Sequence, residues 1–209
     1  MNALEHREPE ALAALLARVR ACSACAATLP LGARPVLQAS SSASILIASQ
    51  APGSKVHQTG IPFSDPSGDR LREWMGVSSD DFYDESTFAI VPMGFCYPGR
   101  SGGGDAPPRA ECASLWRSQL LELLPAVRLT LLVGTYAQSH VLGPAAITSR
   151  VRNFRDYLPQ YFPLPHPSWR SRIWEEKNPW FRTDVIPELR SAIERARAGH
   201  REQNSAKPQ

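Results

Sequence analysis

The chain carries four cysteines: Cys22 and Cys25 as a C-x2-C pair, and Cys96 and Cys112 with fifteen residues between them. In a soluble chain of a reducing compartment, cysteines rarely form disulfides. A C-x2-C holds two thiolates close together, and one cysteine after a strand plus one in the next helix could complete a cage. Four thiolates suit structural zinc or an iron–sulfur cluster, and the spacing leaves both open. Residues 150–182 have a different potential. Arg150, Arg152, Arg155, Arg170, Arg172, Lys177 and Arg182 are interleaved with Trp169, Trp174 and Trp180. Cations among aromatics suit nucleic acid, while Asp156, Glu175 and Glu176 in the same stretch suit a salt-bridged surface. The net charge of +3 is compatible with either.

Apolar periodicity supplies the elements that must position these groups. Residues 8–22 read as a helix with Leu12, Leu15, Leu16 and Val19 on one face. Short apolar runs at 44–49, 88–92, 129–133 and 161–164 read as strands. Helices are predicted at 68–75, 109–124, 136–142, 147–158 and 179–198, the last with Pro187 as a kink or boundary. Segments 29–43, 51–67 and 97–108, rich in Pro, Gly and Ser, read as loops. Strands alternating with helices predict an α/β fold with a parallel sheet covered on both faces. Ligands of such sheets sit beyond the carboxyl ends of the strands, so the loops after Ser49, Pro92 and Leu164 should meet at one cleft. Residues 1–198 read as one domain and 199–209 as a polar, disordered tail. With 43% hydrophobic and 21% charged residues, a sizeable core can form. No run of 18 apolar residues suggests a membrane span, and residues 1–20 read as a helix rather than a signal peptide. A soluble, cytoplasmic, monomeric protein is expected.

Ser49-Gln50-Ala51-Pro52-Gly53, Thr59-Gly60-Ile61-Pro62-Phe63 and Ser67-Gly68 together resemble the first motif of the family 4 uracil-DNA glycosylases, G-E-A-P-G…G-x-P-F-x-G…G. His166-Pro167-Ser168 resembles the superfamily's second motif, H-P-S, and the four cysteines follow the order of that family's [4Fe–4S] ligands. The resemblance spans about residues 12–189. It implies a three-layer α/β/α sandwich around a central four-stranded parallel sheet. It also implies hydrolysis of the N-glycosidic bond of a base flipped out of DNA, with Cys22, Cys25, Cys96 and Cys112 holding a structural cluster.

Glycosidic cleavage builds positive charge on the sugar and negative charge on the departing base, so the site needs a flat platform, donors for the anion and an oriented water. By resemblance, Phe63 is the platform and His166 the donor to the base oxygen. Ala51, Pro52 and Gly53 offer backbone N–H groups or close approach to the base or a phosphate. Ser168 is placed to donate to a phosphate, and Trp169 and Arg170 lie where the family probes the duplex. Two positions depart from the pattern. Gln50 replaces the family's glutamate and can orient a water but cannot take its proton. Pro92 stands where an asparagine reads the uracil edge. Asp65, where the family has glycine, is the best replacement carboxylate, though an Asp before Pro-Ser-Gly also suits a helix cap. His57 is a second candidate base. Uracil or another deaminated or damaged base is the expected substrate, a binder of damaged DNA without cleavage is the alternative, and a zinc-stabilised hydrolase of another glycoside is a weaker third.

Overall fold

Buried β-branched and leucine runs form the centre of the molecule. The structure, a computed structural model, describes residues 3–205, with side chains from 9 to 198. From α1 (Ala3–Arg20) the chain passes into β1 (Ile45–Ala48), and α2 (Ser54–Thr59), α3 (Pro66–Met75) and α4 (Ser79–Tyr83) lead to β2 (Phe88–Ile90). A hairpin of β3 (Arg100–Ser101) and β4 (Gly104–Asp105) precedes α5 (Ala110–Cys112), a π turn (Ala113–Arg117) and α6 (Ser118–Glu122). Then come β5 (Leu129–Val133), α7 (Thr135–Leu142), α8 (Ile147–Arg152), a 3-10 turn (Phe154–Tyr157) and β6 (Tyr161–Leu164). The chain closes with α9 (Ser171–Lys177), a second π turn (Phe181–Val185) and α10 (Ile186–Ser205).

Four strands pair in parallel in the order β2-β1-β5-β6. Every residue of β1, β2 and β5 is buried, as a sheet covered on both faces requires. The faces separate with the two-residue period of a strand. Ile45 and Ile47 pack with Leu71 of α3, Trp74 of α3, Phe82 of α4 and Leu189 of α10. Leu46 packs with Leu12 and Leu16 of α1 and Leu120 of α6, while Ala48 meets Ala137 of α7. The expected three-layer α/β/α sandwich is therefore present. No helix among the described residues is long and apolar enough to cross a membrane.

Several boundaries differ from the sequence expectation. The segment read as a loop at 51–67 contains α2, the 97–108 loop contains the β3–β4 hairpin, and α4 and α9 were not foreseen. All are too short to show a period. The helix expected at 147–158 ends at Arg152 and tightens into the 3-10 turn. The final helix begins beyond a π turn. Pro187 lacks the N–H that would bond to Thr183, and the widened turn ends two residues before it. That helix continues to Ser205, past Ala198, so the start of the expected tail is helical and residues 206–209 lie outside the described residues.

Candidate active site

The carboxyl ends of β1, β2 and β6 open into one cavity. Its walls include Ser49 to Gly53 after β1, Pro92 after β2 and His166 after β6, with Pro62, Phe63, Asp65 and Asp105 closing the sides. Main-chain bonds tie the first two loops together: Met93 N–H donates to Ser49 O at 2.8 Å and Gly94 N–H to Gln50 O at 2.8 Å. Pro92 is buried in this wall and presents no amide side chain to a ligand.

Phe63 sits in the left-handed region at φ 55°, the only non-glycine residue to do so among the described residues. This conformation costs an L-residue roughly 1–2 kcal/mol, so the surroundings must impose it. They do so from α3. A Cβ on Gly68 would lie 1.8 Å from Phe63 O, so the glycine lets the carbonyl press against the first turn of the helix. The Phe63 ring is buried and meets Phe82 edge-on, with centroids 6.0 Å apart. One strained residue thus holds an aromatic ring in the wall of the cavity.

His166 follows β6 and lies against the end of β5. Gly134 makes this possible, since a Cβ there would stand 3.3 Å from the histidine Cβ. Gln138 of α7, which sequence reasoning did not single out, is buried and clamps the two strand ends. Its Nε2 donates to Leu132 O at 3.1 Å and to Leu164 O at 2.7 Å. His166 O accepts from Ser168 N–H at 2.8 Å and from the Ser171 hydroxyl. The imidazole is half-buried and faces both the cavity and the groove outside it. Burial pushes its pKa down, with Asp65 opposing the shift, so the ring is neutral at pH 7. A neutral imidazole still has one N–H to donate.

Asp65 caps a helix and also faces the cavity. Oδ1 accepts the Gly68 N–H at 3.1 Å and caps α3, while the carboxyl also lines the cavity. A second carboxylate, Asp105, had escaped the sequence reading. The triglycine turn Gly102 to Gly104 folds the β3–β4 hairpin back over the site and delivers Asp105 to the cavity mouth. A Cβ placed on Gly53 would be 3.6 Å from Asp105 Oδ2 and 3.9 Å from Asp65 Oδ2, so both carboxylates flank the bare glycine backbone. Partial desolvation raises the Asp105 pKa; Arg100 opposes the rise and Asp65 adds to it. The signal in the sequence was the Gly-Gly-Gly-Asp order, a tight turn followed by an acid.

His57 is not brought to this cavity. It lies on α2 with its ring buried toward Tyr97, 6.4 Å between centroids, and its Nδ1 has no partner among the described residues. A six-residue helix turns one side inward, and His57 falls on that side. Its ring therefore lines neither the cavity nor the groove outside it, contrary to its expected role as a second base.

A larger groove of about 810 Å³ continues outward from the cavity. Gln50, Asp105 and His166 belong to both, and Arg70, Arg100, Ser168, Trp169, Arg170 and Arg172 line the groove. Among the described residues Arg100, Arg170 and Arg172 form no ion pair. Trp169 is 70% exposed, and the Arg170 guanidinium lies 5.1 Å from its ring centroid. Arg170 Nη2 also donates to Gly103 O at 3.1 Å, joining this loop to the hairpin. Other arginines of the 150–182 stretch have structural duties. Arg150 bonds Gly143 O at 2.8 Å, Arg152 covers Trp180, and Arg182 pairs with Glu175 and Glu73.

A family model described as the Uracil DNA glycosylase superfamily matches residues 37–190. The chain belongs to the uracil DNA glycosylase superfamily. The match includes both segments that line the cavity, 49–68 and 166–168, as well as Asp105. It begins after Cys22 and Cys25, so the cysteine frame rests on separate observations.

In this superfamily member Cys112 and Cys22 lie away from the cavity, on the sheet face covered by α1. Cys112 packs in the same core as Leu12, Leu16 and Val19 of α1. Cys22 and Cys25 are half-buried, and Cys96 and Cys112 are buried. Phe95 N–H donates to Cys112 Sγ at 3.5 Å and Trp116 Nε1–H to Cys22 Sγ at 3.4 Å. Burial raises the Cys96 and Cys112 thiols, Cys112 to about 11, and each also feels the charge of Cys22 and Cys25. Among the described residues no group of three or more His, Cys, Asp or Glu side chains stands close enough to hold a single metal ion.

Proposed function

We propose that this superfamily member is a DNA glycosylase that hydrolyses the N-glycosidic bond of uracil, or of a related deaminated or damaged base, flipped out of DNA. The observation that carries the reading is the joining of Phe63, His166 and two carboxylates in one cavity that opens into a groove of arginines and an exposed tryptophan. A flipped base stacks on Phe63, a contact worth about 1–3 kcal/mol. As the glycosidic bond breaks, the neutral His166 donates to the base oxygen that gains charge, stabilising it by about 3 kcal/mol. The backbone of Ala51, Pro52 and Gly53 forms the wall beside the sugar, Gln50 orients water, and Ser168 donates to a phosphate. Trp169 fills the gap left in the duplex, with Arg170 on the backbone. DNA bearing a modified base is the partner, engaged by a monomer.

The four cysteines are assigned as ligands of a structural [4Fe–4S] cluster; zinc, the alternative, is less favoured, since no three of them stand close enough for one ion among the described residues. Two N–H groups point at sulfur, the kind of hydrogen bond that tunes cluster thiolates. The cluster would tie α1 and the Cys96 loop to the core and supply no step of the reaction. A binder that does not cleave is the second reading, and it is favoured by Gln50, an amide where the family 4 pattern has a proton-accepting glutamate. The test is strand breakage by alkali after incubation of the protein with duplexes containing one uracil. Wild type should create labile sites, His166→Ala should do so about 10²–10³-fold more slowly, and Phe63→Ala should also be impaired. Binding by wild type without labile sites at uracil or any other altered base would overturn the enzyme reading in favour of the binder.

A further inference from the structure

The cavity holds a carboxylate that the family-like motifs do not contain. We infer that Asp105, delivered by the β3–β4 hairpin, is the catalytic residue that accepts the proton of the attacking water. The inference rests on the glycosylase reading of the site.

Three features single out Asp105. First, it stands at the junction of the two cavities, between Phe63 and His166 on the inside and the arginine groove on the outside. A base inside the pocket and a phosphate in the groove leave the sugar at this junction. Second, the other acid has one oxygen engaged. Asp65 Oδ1 is bound to the Gly68 N–H as the cap of α3, whereas the Asp105 carboxylate makes no hydrogen bond among the described residues. Third, Gly53 leaves open the space in front of it. The 3.6 Å from a Gly53 Cβ position to Asp105 Oδ2 is about the room that a water or a sugar C–H would use. Gln50, on the same junction, can hold that water by its amide but has no site for the proton.

The step balances without any co-reactant. A water oxygen bonds to the anomeric carbon as the carbon–nitrogen bond breaks, and that electron pair leaves with the base as an anion. Asp105 takes the water proton and returns it to solvent through the groove. His166 keeps its own proton and holds the anion by a hydrogen bond, and the base is protonated after release. The titratable and charged groups facing Asp105 are Arg100 on its own hairpin, Asp65 at the head of α3, the neutral His166 beyond β6 and Arg170 beside the triglycine turn. The first two pull its titration in opposite directions.

The experiment is single-turnover cleavage of a uracil-containing duplex across pH 4 to 9 by wild type, Asp105→Asn, Asp105→Ala and Asp65→Asn. Melting temperature and DNA affinity are read alongside. Asp105→Asn should lower the rate about 10²-fold or more at pH 7. It should also abolish the acid limb of the profile while affinity stays within about threefold. Formate added to Asp105→Ala should restore part of the rate, which a loss of folding could not mimic. Wild-type cleavage equalled within threefold by Asp105→Asn, or an acid limb unchanged in that variant, overturns the assignment and leaves the glycosylase reading standing. Wild type inactive on uracil and every other altered base overturns both. Should Asp105→Asn fold poorly, the formate response of Asp105→Ala decides alone.

Discussion

Gly68→Ala should destabilise the protein, against the ordinary rule for a helix. Replacing a helical glycine with alanine normally stabilises by about 1 kcal/mol, because it lowers the entropy of the unfolded chain. Here the new Cβ would fall 1.8 Å from Phe63 O and 2.8 Å from Phe63 Cβ, where real contacts stay beyond 3.0 Å. Either the first turn of α3 moves outward or Phe63 leaves its left-handed conformation. The first choice breaks the Asp65 cap, worth about 1 kcal/mol, and overpacking adds about 1–3 kcal/mol. After the usual alanine gain is subtracted, roughly 2 kcal/mol of destabilisation remains. For a chain of this size that lowers Tm by about 4–8 °C. The second choice leaves Tm less affected but removes the stacking surface, so cleavage falls. Thermal unfolding followed by circular dichroism, with cleavage measured on the same preparation, distinguishes them. A Tm at or above wild type together with full activity would refute the claim that Gly68 holds the platform in place.

Other consequences follow from the same geometry. His166 is held neutral by burial, so its folded pKa lies below the ordinary imidazole value. The unfolded chain therefore binds the proton first, and stability should be full above about pH 6.5 and decline as pH falls toward the folded pKa. His166→Gln should flatten that part of a denaturant-midpoint against pH plot. Trp169→Ala touches an exposed side chain, so Tm should move by less than about 2 °C while cleavage of duplex drops more than cleavage of single-stranded DNA, read from parallel rate measurements. Arg170→Ala and Arg172→Ala should each reduce the salt slope of DNA affinity by about one, measured by titration at several ionic strengths. Cys112→Ser should eliminate bound iron and lower Tm, as seen by metal analysis and thermal melting; wild type purified anaerobically with zinc and no iron would contradict the cluster.

The architecture was legible because its strands are continuous apolar runs. Ile45 to Ala48 and Leu129 to Val133 are buried on both faces, and burial writes itself directly into hydrophobicity. The helices Ser54–Thr59, Ser79–Tyr83 and Ser171–Lys177 were not legible, since one or two turns cannot display a 3.6-residue period. The inner cavity was readable where motif residues sit at strand ends, as with Gln50 and His166. Asp105 was not, because the strands of its hairpin are two residues long and its turn is glycine, which leaves no side-chain pattern. His57 shows the reverse failure. Its residue type suited a base, but the facing of a short helix decided its position, and only the packing against Tyr97 reveals that. The basic stretch at 150–182 likewise divided by packing, with Arg170 and Arg172 on the groove and Arg150 turned inward to cap carbonyls.

The most direct measurement is mass-spectrometric identification of the free base released from duplexes carrying uracil, hypoxanthine, xanthine or an oxidised pyrimidine. An intact altered base, released by wild type with an abasic site left behind and reduced at least 10²-fold by His166→Ala, is the predicted result. DNA bound with no base released from any member of the panel would contradict it.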